Sequence, residues 1–409
     1  MQYGAKITMY DIILLPLHRW IDSEWGSESE WALNMAKALA ISHVDFMAII
    51  GQADLGTQKK FLEWGIDYMS MGIGMNMTLF GDIGFYSKLY LSYAKLRKKA
   101  KIIHHVFPLG FRTGFNPSLL LRNRVPAVVG PLLYAPPVAR RKMTTDSIFR
   151  KTQGNYMGKP VTRSTMFYPD WIFSALNKRT LENADFLIFD SQQTREIYSN
   201  EMPQLENKDY AIIAGIVDES EFKPASFSHN FSSSMRFGII SYLRPDKHID
   251  TVIKAFSKIK DSGAVLLIAG DGEIVPSLRL MTRENGIEQM VKFLGRLSRP
   301  ETVKFMSNLD VIISLSEVPW SVTASILEGM MSGLPIISYE PDIIQPREIS
   351  CGFLVNFDDI DGLAGVFERI ISDPNILIKK GTEARKFAEE NVSMKETGSK
   401  LKKIYNKLC

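Results

Sequence analysis

Short apolar runs alternate with longer segments of helical period along the whole chain. The runs are rich in Val, Ile, Leu and Phe and are apolar at nearly every position, which is typical of strands covered on both faces. Strands that alternate with helices predict parallel sheets of the α/β class. In the first half of the chain we predict strands at residues 7–15, 46–50, 101–107, 126–129, 185–189 and 210–213.

The pattern stops at a polar stretch, "SFSHNFSSS" at 226–234, and then restarts. A chain of 409 residues is also longer than one hydrophobic core usually covers. We therefore predict two α/β domains, over residues 1–225 and 235–388, and a C-terminal helical segment, 389–409, that packs back on the first domain. Strands of the second domain are predicted at 235–241, 264–270, 291–295, 310–316 and 334–338.

Composition and cysteine content exclude several classes of protein. With 45% hydrophobic and 23% charged residues, the chain has the composition of a globular protein. No apolar stretch approaches the roughly 20 residues of a membrane-spanning helix, and the N-terminal residues lack the pattern of a secretion signal, so we expect a cytoplasmic protein. Only two cysteines are present, which argues against a disulfide framework or a cysteine metal site.

Basic residues are concentrated in one part of the first domain. No acidic residue lies between Asp82 and Asp146, whereas twelve Lys and Arg residues do. Such a cluster is either a solvated surface or a site for an anionic partner. Its segment "YSKLYLSYAKLRKKAKI" at 86–102 interleaves Tyr and Leu with cations, which predicts an interfacial helix at the inner face of an anionic membrane.

Glu328 lies in a helical segment whose other large side chains form an apolar arc. At about 100° per residue it projects away from that arc, on a face of small side chains. Such a face is either exposed to solvent or open to the close approach of a ligand. A predicted strand ends just before this helix, so the free amides near Ser321, Val322 and Thr323 are a candidate site for a negative group such as phosphate.

The segment "EGMMSGLP" at 328–335 resembles the Glu-Ala-Met-x-x-Gly-x-Pro pattern of the retaining, two-domain glycosyltransferases often called family 4. The resemblance implies that Glu328 holds the ribose hydroxyls of a nucleotide-sugar donor. The family has another Glu eight positions earlier, where this chain has Trp320. Glu317, eleven positions before Glu328, is our candidate for that missing role.

The stretch "ISYLRPDKHIDTVIKAF" at 240–256 resembles the family's Gly-Arg-Leu-x-x-x-Lys-Gly segment, in which two cations neutralise the donor diphosphate. Lys247 falls on the Lys position. Tyr242 occupies the Arg position, and Arg244 is displaced from it by two residues. Without the resemblance, this stretch reads as a charged surface loop. We expect Lys247 and Arg244 to be catalytic, because breaking a bond to a diphosphate requires stabilisation of the developing charge.

Three weaker motifs complete the predicted donor and acceptor sites. By resemblance, Gly272 in "AGDGEI" and Leu294 in "VKFLG" line the base pocket, although a Gly pair in such a turn is often only a tight corner. Gly26 and Ser27 fill the glycine positions of a loop that opens the first helix, or they form an ordinary helix cap.

His104 and His105 lie near the end of a predicted strand. In relatives a His at this place is near the reacting sugar, so we assign His105 a catalytic role. A His on a strand is also commonly a packed side chain, and alternation puts the two on opposite faces of the sheet.

The resemblance implies an α/β fold of two facing Rossmann-like domains (GT-B) with parallel sheets. It also implies transfer of a sugar, with retention of configuration, from a UDP-, GDP- or ADP-sugar to a glycan or lipid-linked acceptor, with no metal, no cofactor and no nucleic-acid partner. A second reading is a non-catalytic, nucleotide-sugar-binding partner subunit of the same fold, since two donor-site positions are substituted. A dinucleotide oxidoreductase is disfavoured because no Gly-x-Gly-x-x-Gly follows the first strand.

Overall fold

A computed structural model describes residues 10–15, 20–21, 27–72, 79–106, 125–133, 155–156, 159–160, 178–224, 234–315, 323–339 and 351–409. The chain divides into two compact units. The first comprises Met1–Ala214 together with Thr397–Cys409, and the second comprises Gly215–Glu396. The predicted linker at 226–234 lies outside the described residues except for Ser234.

Seven parallel strands form the sheet of the first unit. They are β1 (Tyr10–Leu15), β2 (Phe46–Ile50), β3 (Asp67–Ser70), β4 (Ala100–His105), β5 (Ala127–Leu132), β6 (Phe186–Phe189) and β7 (Tyr210–Ile212), in the order β7-β6-β5-β4-β1-β2-β3. Helices α1 (Ser27–Ile41), α2 (Leu55–Glu63), α3 (Leu79–Leu96) and α4 (Gln192–Glu201) belong to this unit. Two-residue strand pairs join Trp20–Ile21 to Gln52–Ala53 and Asn155–Tyr156 to Lys159–Pro160.

Six parallel strands form the sheet of the second unit. They are β8 (Arg236–Ile240), β9 (Val265–Ala269), β10 (Val291–Gly295), β11 (Val311–Ser314), β12 (Ile336–Tyr339) and β13 (Gly352–Val355), in the order β10-β9-β8-β11-β12-β13. The helices are α5 (Ile249–Ser257), α6 (Val275–Glu284), α7 (Arg299–Ser307), α8 (Ala324–Met331), α9 (Ile360–Ser372) and α10 (Ile376–Asn391). Helix α11 (Met394–Leu408) begins in this unit and ends in the first.

The central strands are apolar because helices cover both of their faces. Residues of β2 and β5 are buried throughout, as are most residues of β4 and β8. In the second unit, the face of β8 packs against α5 and α9 through the aromatic rings of Phe237, Phe256 and Phe367, with centroids 4.9–5.8 Å apart. The prediction of an α/β fold with parallel sheets is therefore confirmed.

The strand order reverses once in each sheet. In the second unit the reversal falls between β8 and β11, which pair directly, and in the first unit it falls between β1 and β4. Connections leave on opposite faces at this point, so a crevice opens beyond the carboxyl ends of the two strands, and ligands of open α/β sheets bind there. These two places are therefore the expected ligand sites of the two units.

Among the residues described, no helix is both long and apolar enough to cross a lipid bilayer.

Candidate functional site

Lys247 lies at the crevice of the second sheet. It ends a short 3-10 turn, Pro245–Lys247, that follows β8. Its side chain, 18% exposed, lines a small pocket together with the carboxyl ends of β8 and β11. Burial lowers the pKa of Lys247 and outweighs the opposing effect of Asp246. The site therefore presents an ammonium group, only partly hydrated, to whatever enters the pocket.

Residue 248 fixes the backbone next to Lys247. His248 adopts a left-handed conformation, φ 47° and ψ 37°, which is uncommon for any residue other than Gly. Its ring packs edge-on against Tyr339 and Phe357, at centroid distances of 5.6 and 5.0 Å. From the sequence we assigned no role to His248, Tyr339 or Phe357. One signal was present, because the family pattern has Gly where this chain has His248, and Gly adopts a positive φ without strain.

Arg244 lies close to Lys247 but is more exposed. Its guanidinium pairs with Asp246 at 2.9 Å and lies 5.8 Å from the ring of Tyr242, which is 56% exposed. Asp246 is also 4.0 Å from the ammonium of Lys247. The structure thus brings the two predicted catalytic cations to one loop, with a shared carboxylate between them.

Gly272 packs against the backbone of that same loop. A Cβ at this position would come within 2.1 Å of the carbonyl oxygen of Leu243, so any larger residue would displace the loop. The amide of Leu243 in turn donates to the carbonyl of Asp271 at 2.9 Å. Close packing of two βα loops therefore explains Gly272, and a direct contact with a base remains a prediction.

Leu294 lies at the carboxyl end of β10, and Thr323 lies at the N-terminus of α8. Leu294 is the second-to-last residue of β10 and is 43% exposed, as a residue that covers a ligand would be. Thr323 is the N-cap of α8, and its hydroxyl bonds that of Ser325 at 3.0 Å rather than the helix amides. These positions are compatible with their predicted roles and do not test them.

Glu328 is buried rather than exposed to solvent. Its side chain is 10% exposed, and its Oε1 accepts a hydrogen bond from Nη1 of Arg299, the first residue of α7. Periodicity placed Glu328 off the apolar arc of α8, and the structure shows that its carboxylate is paired with Arg299 at the start of α7 and is largely shielded from water. A buried carboxylate requires a paired charge, and Arg299 supplies it.

Sequence reasoning missed Arg299, although one signal was present. The residue sits at the first position of a helix, where the macrodipole disfavours a positive charge. A cation in that position needs an anionic partner nearby, which here is Glu328 on one side and Glu221 on the other, the latter 2.9 Å from Arg299 Nε.

His105 is the last residue of β4, next to the strand reversal of the first sheet, and is buried. Burial lowers its pKa to about 3, assisted by repulsion from His104, so its ring is neutral near pH 7. His104 points to the other face, where Nδ1 lies 2.6 Å from the hydroxyl of Tyr405 on α11 and Nε2 lies 3.2 Å from the carbonyl oxygen of Gly130. Of the two, His104 therefore has a structural role.

Four predicted site residues, Gly26, Glu317, Ser321 and Val322, lie outside the described residues. Ser27 is the first residue of α1, and its side chain is not among those described. Within the residues that the structure describes, no group of three or more His, Cys, Asp or Glu side chains is placed to hold a metal ion. Whether the reaction needs a metal is left untested by this, so metal independence stays a prediction.

The fold is that of the GT-B glycosyltransferases. The crystal structure of Anabaena Alr3699/HepE in complex with UDP matches with a TM-score of 0.69 and 15% sequence identity, over 97% of this chain and 99% of that one. Residues 221–391 match the family described as Glycosyl transferases group 1. The resemblance to two-domain glycosyltransferases drawn from the sequence is confirmed by this match and by the fold, whereas retention of configuration stays a prediction.

Two curated relatives match over about half of the chain. N-acetyl-alpha-D-glucosaminyl L-malate synthase of Bacillus anthracis is 27% identical over 49% of this chain and 54% of its own length. A GDP-mannose-dependent monoacylated alpha-(1-6)-phosphatidylinositol monomannoside mannosyltransferase of Corynebacterium glutamicum is 25% identical over 46% of this chain and 54% of its own length. The matched part spans about half the length of these relatives, so their substrates are not assigned to this chain.

Proposed function

We propose that the protein is a glycosyltransferase that moves a sugar from a nucleoside-diphosphate sugar to an acceptor hydroxyl with retention of configuration. The observation that carries the proposal is the position of Lys247, a partly buried cation that lines the pocket at the strand reversal of the second sheet. This pocket lies in the part of the chain that matches Glycosyl transferases group 1. Anionic ligands of α/β sheets bind in such crevices.

In the proposed reaction, the bond between the anomeric carbon and the diphosphate oxygen breaks, and its electron pair passes to the diphosphate. The acceptor oxygen takes the place of the diphosphate, and its proton passes to the departing diphosphate oxygen. Lys247 and Arg244 stabilise the negative charge that develops on the leaving group, while amides at the N-terminus of α8 near Thr323 add backbone donors. Because these groups neutralise the charge, we propose that no metal or other cofactor takes part.

The remaining predicted residues orient the substrates. Glu328 accepts hydrogen bonds from the two ribose hydroxyls, and Leu294 covers the base with Gly272 next to it. His105 is neutral near pH 7 because burial lowers its pKa to about 3, so its proposed catalytic role is that of a neutral hydrogen-bonding group and not of a cation. UDP, GDP and ADP are the three carriers to test.

A panel of UDP-, GDP- and ADP-sugars tests the proposal through thermal stability. A ligand that binds only the folded form at 100 times its Kd stabilises by about 2.7 kcal/mol, which is roughly 5–11 °C in melting temperature for a domain of this size. We expect one nucleotide series to produce such a shift and the other two to produce less. No shift with any member at millimolar concentration would reject donor binding.

For the acceptor, we propose a glycan or lipid-linked molecule reached from an anionic membrane surface. On α3 and just after it, the side chains of Lys88, Lys95 and Lys98 are exposed, as are Tyr90 and Leu91. Cations beside exposed apolar groups suit a surface of anionic lipid headgroups. The name of the Corynebacterium glutamicum relative, which contains a phosphatidylinositol acceptor, lends this class of acceptor support.

Vesicle sedimentation at low salt tests the membrane contact. We expect binding to vesicles of mixed phosphatidylcholine and phosphatidylglycerol, little binding to pure phosphatidylcholine, and a loss of roughly 4 kcal/mol of binding energy in Lys95→Glu/Lys98→Glu, at about 1 kcal/mol per unit of charge. Lys379→Glu/Lys386→Glu makes the same charge change at exposed positions of α10 and serves as the control. Equal partition of the wild-type protein to both vesicle types would eliminate this contact.

A further inference from the structure

Arg299 connects three parts of the second unit. Its Nε donates to Glu221 Oε2 at 2.9 Å, its Nη1 donates to Glu328 Oε1, and its guanidinium lies 4.6 Å from the centre of the Phe222 ring. Phe222 is fully buried, so the ring provides a fixed platform. The guanidinium is therefore held from two edges and one face.

We propose that Arg299 is the positioning residue for the ribose contact, because it holds the Glu328 carboxylate in the orientation that accepts the two vicinal hydroxyls. In this way Arg299 sets how strongly the site distinguishes ribonucleotides from deoxyribonucleotides. The inference deepens the proposed function and rests on it.

The chemistry of the two groups explains the need for such a residue. An ionised carboxylate only accepts hydrogen bonds and has about four lone-pair sites, so the bond that Arg299 donates to Oε1 occupies one of these sites and directs the group. A Glu side chain has three rotatable bonds, and a diol is bound well only when both oxygens face it. The planar guanidinium fixes direction as well as charge, which a Lys ammonium, a point charge on a flexible stem, does not.

Lys247 and Arg299 lie on different elements of the second unit. Lys247 follows β8 and lines the pocket with β11, whereas Arg299 opens α7 after β10, at the other side of β9 in the sheet. A change at Arg299 is therefore expected to alter recognition of the ribose and to leave recognition of the diphosphate unchanged.

Isothermal titration of Arg299→Gln tests the inference. The probes are whichever of UDP, GDP and ADP binds the wild-type protein, its 2′,3′-dideoxy counterpart, and inorganic pyrophosphate. We expect the wild-type protein to favour the ribonucleotide by about ten- to a hundredfold, the range of a hydrogen bond to a charged group. In Arg299→Gln the ratio should fall below about threefold, while the affinity for pyrophosphate stays the same.

Arg299→Lys and Arg283→Gln complete the series. Arg299→Lys keeps the charge and should recover part of the ratio, and it replaces Arg299→Gln as the decisive variant if the latter does not fold. Arg283, an exposed residue of α6 that is 3.9 Å from Glu288, gives the matched control with unchanged ratio. If the wild-type protein binds none of the three nucleotides, the proposed function itself is wrong. If it binds and discriminates but folded Arg299 variants discriminate equally well, only the positioning role is wrong.

Discussion

Lys247→Ala is expected to lower turnover by about 10²–10³-fold, the loss typical when one preorganised charge-stabilising group is removed from an active site. The lysine is the cation that lines the pocket at the strand reversal, and its ammonium is only partly hydrated, so its charge is little screened there. The measurement is kcat and KM with the donor found in the thermal-shift panel, together with the affinity for pyrophosphate, which should also fall.

Lys254→Ala is the control for Lys247→Ala. Lys254 lies seven residues later on α5, pairs with Asp250 at 3.0 Å and lies outside the pocket lining, so its removal should leave turnover within about twofold of wild type. A Lys247→Ala protein that folds and retains wild-type turnover would remove Lys247 from the mechanism.

The pH profile provides a second readout for Lys247. Burial lowers its pKa, so the ammonium loses its proton at a lower pH than an exposed lysine does. Activity that depends on this charge is present below that pKa and declines as pH rises through it. In Lys247→Arg the alkaline decline should move to higher pH, because a guanidinium stays protonated.

Glu328→Ala is expected to weaken nucleoside-diphosphate binding by about a hundredfold, because two hydrogen bonds to a charged acceptor are lost. It should also destabilise the second unit by on the order of 3 kcal/mol, since the Arg299 charge loses its buried partner. Titration with the nucleotide and urea unfolding measure the two effects separately.

A double substitution separates the binding effect of Glu328 from its structural effect. In Arg299→Met/Glu328→Met both members of the buried ion pair are removed together, and well-packed apolar replacements of such a pair are often neutral in stability. Glu221 also loses Arg299, but its side chain is 40% exposed and stays hydrated. We expect stability within about 1 kcal/mol of wild type, with binding as weak as in Glu328→Ala. Wild-type affinity in this stable double variant would exclude Glu328 from the ribose site.

The apolar pattern predicted the central strands closely. The bounds predicted for β2 and β10 agree with the structure, and those of the other predicted strands differ by one to three residues where they can be compared. Residues 7–9 of the first predicted strand lie outside the described residues. The pattern missed β3 and β13, the strands at one edge of each sheet. The sequence of β3 is Asp-Tyr-Met-Ser, and its two end residues are exposed. A strand at the edge of a sheet is partly exposed to solvent, so it needs no continuous apolar run and the pattern does not detect it.

The apolar pattern could not predict which residues distant in the sequence contact each other. Tyr405 bonds His104 across 301 positions, and nothing local to either residue indicates the pair. The ion pair of Arg299 with Glu328 spans 29 positions, and the unusual cation at a helix start was the sole hint. Periodicity identifies which face of a helix a residue occupies, whereas the tertiary packing decides whether that face meets water or another helix.

The most direct measurement is a crystal structure of the protein soaked with the nucleoside-diphosphate sugar that gives the largest thermal shift. We predict that the ribose hydroxyls lie within hydrogen-bond distance of the Glu328 carboxylate, with the diphosphate next to the ammonium of Lys247. A nucleotide bound elsewhere, with Glu328 still paired only to protein groups, would contradict the proposed donor site.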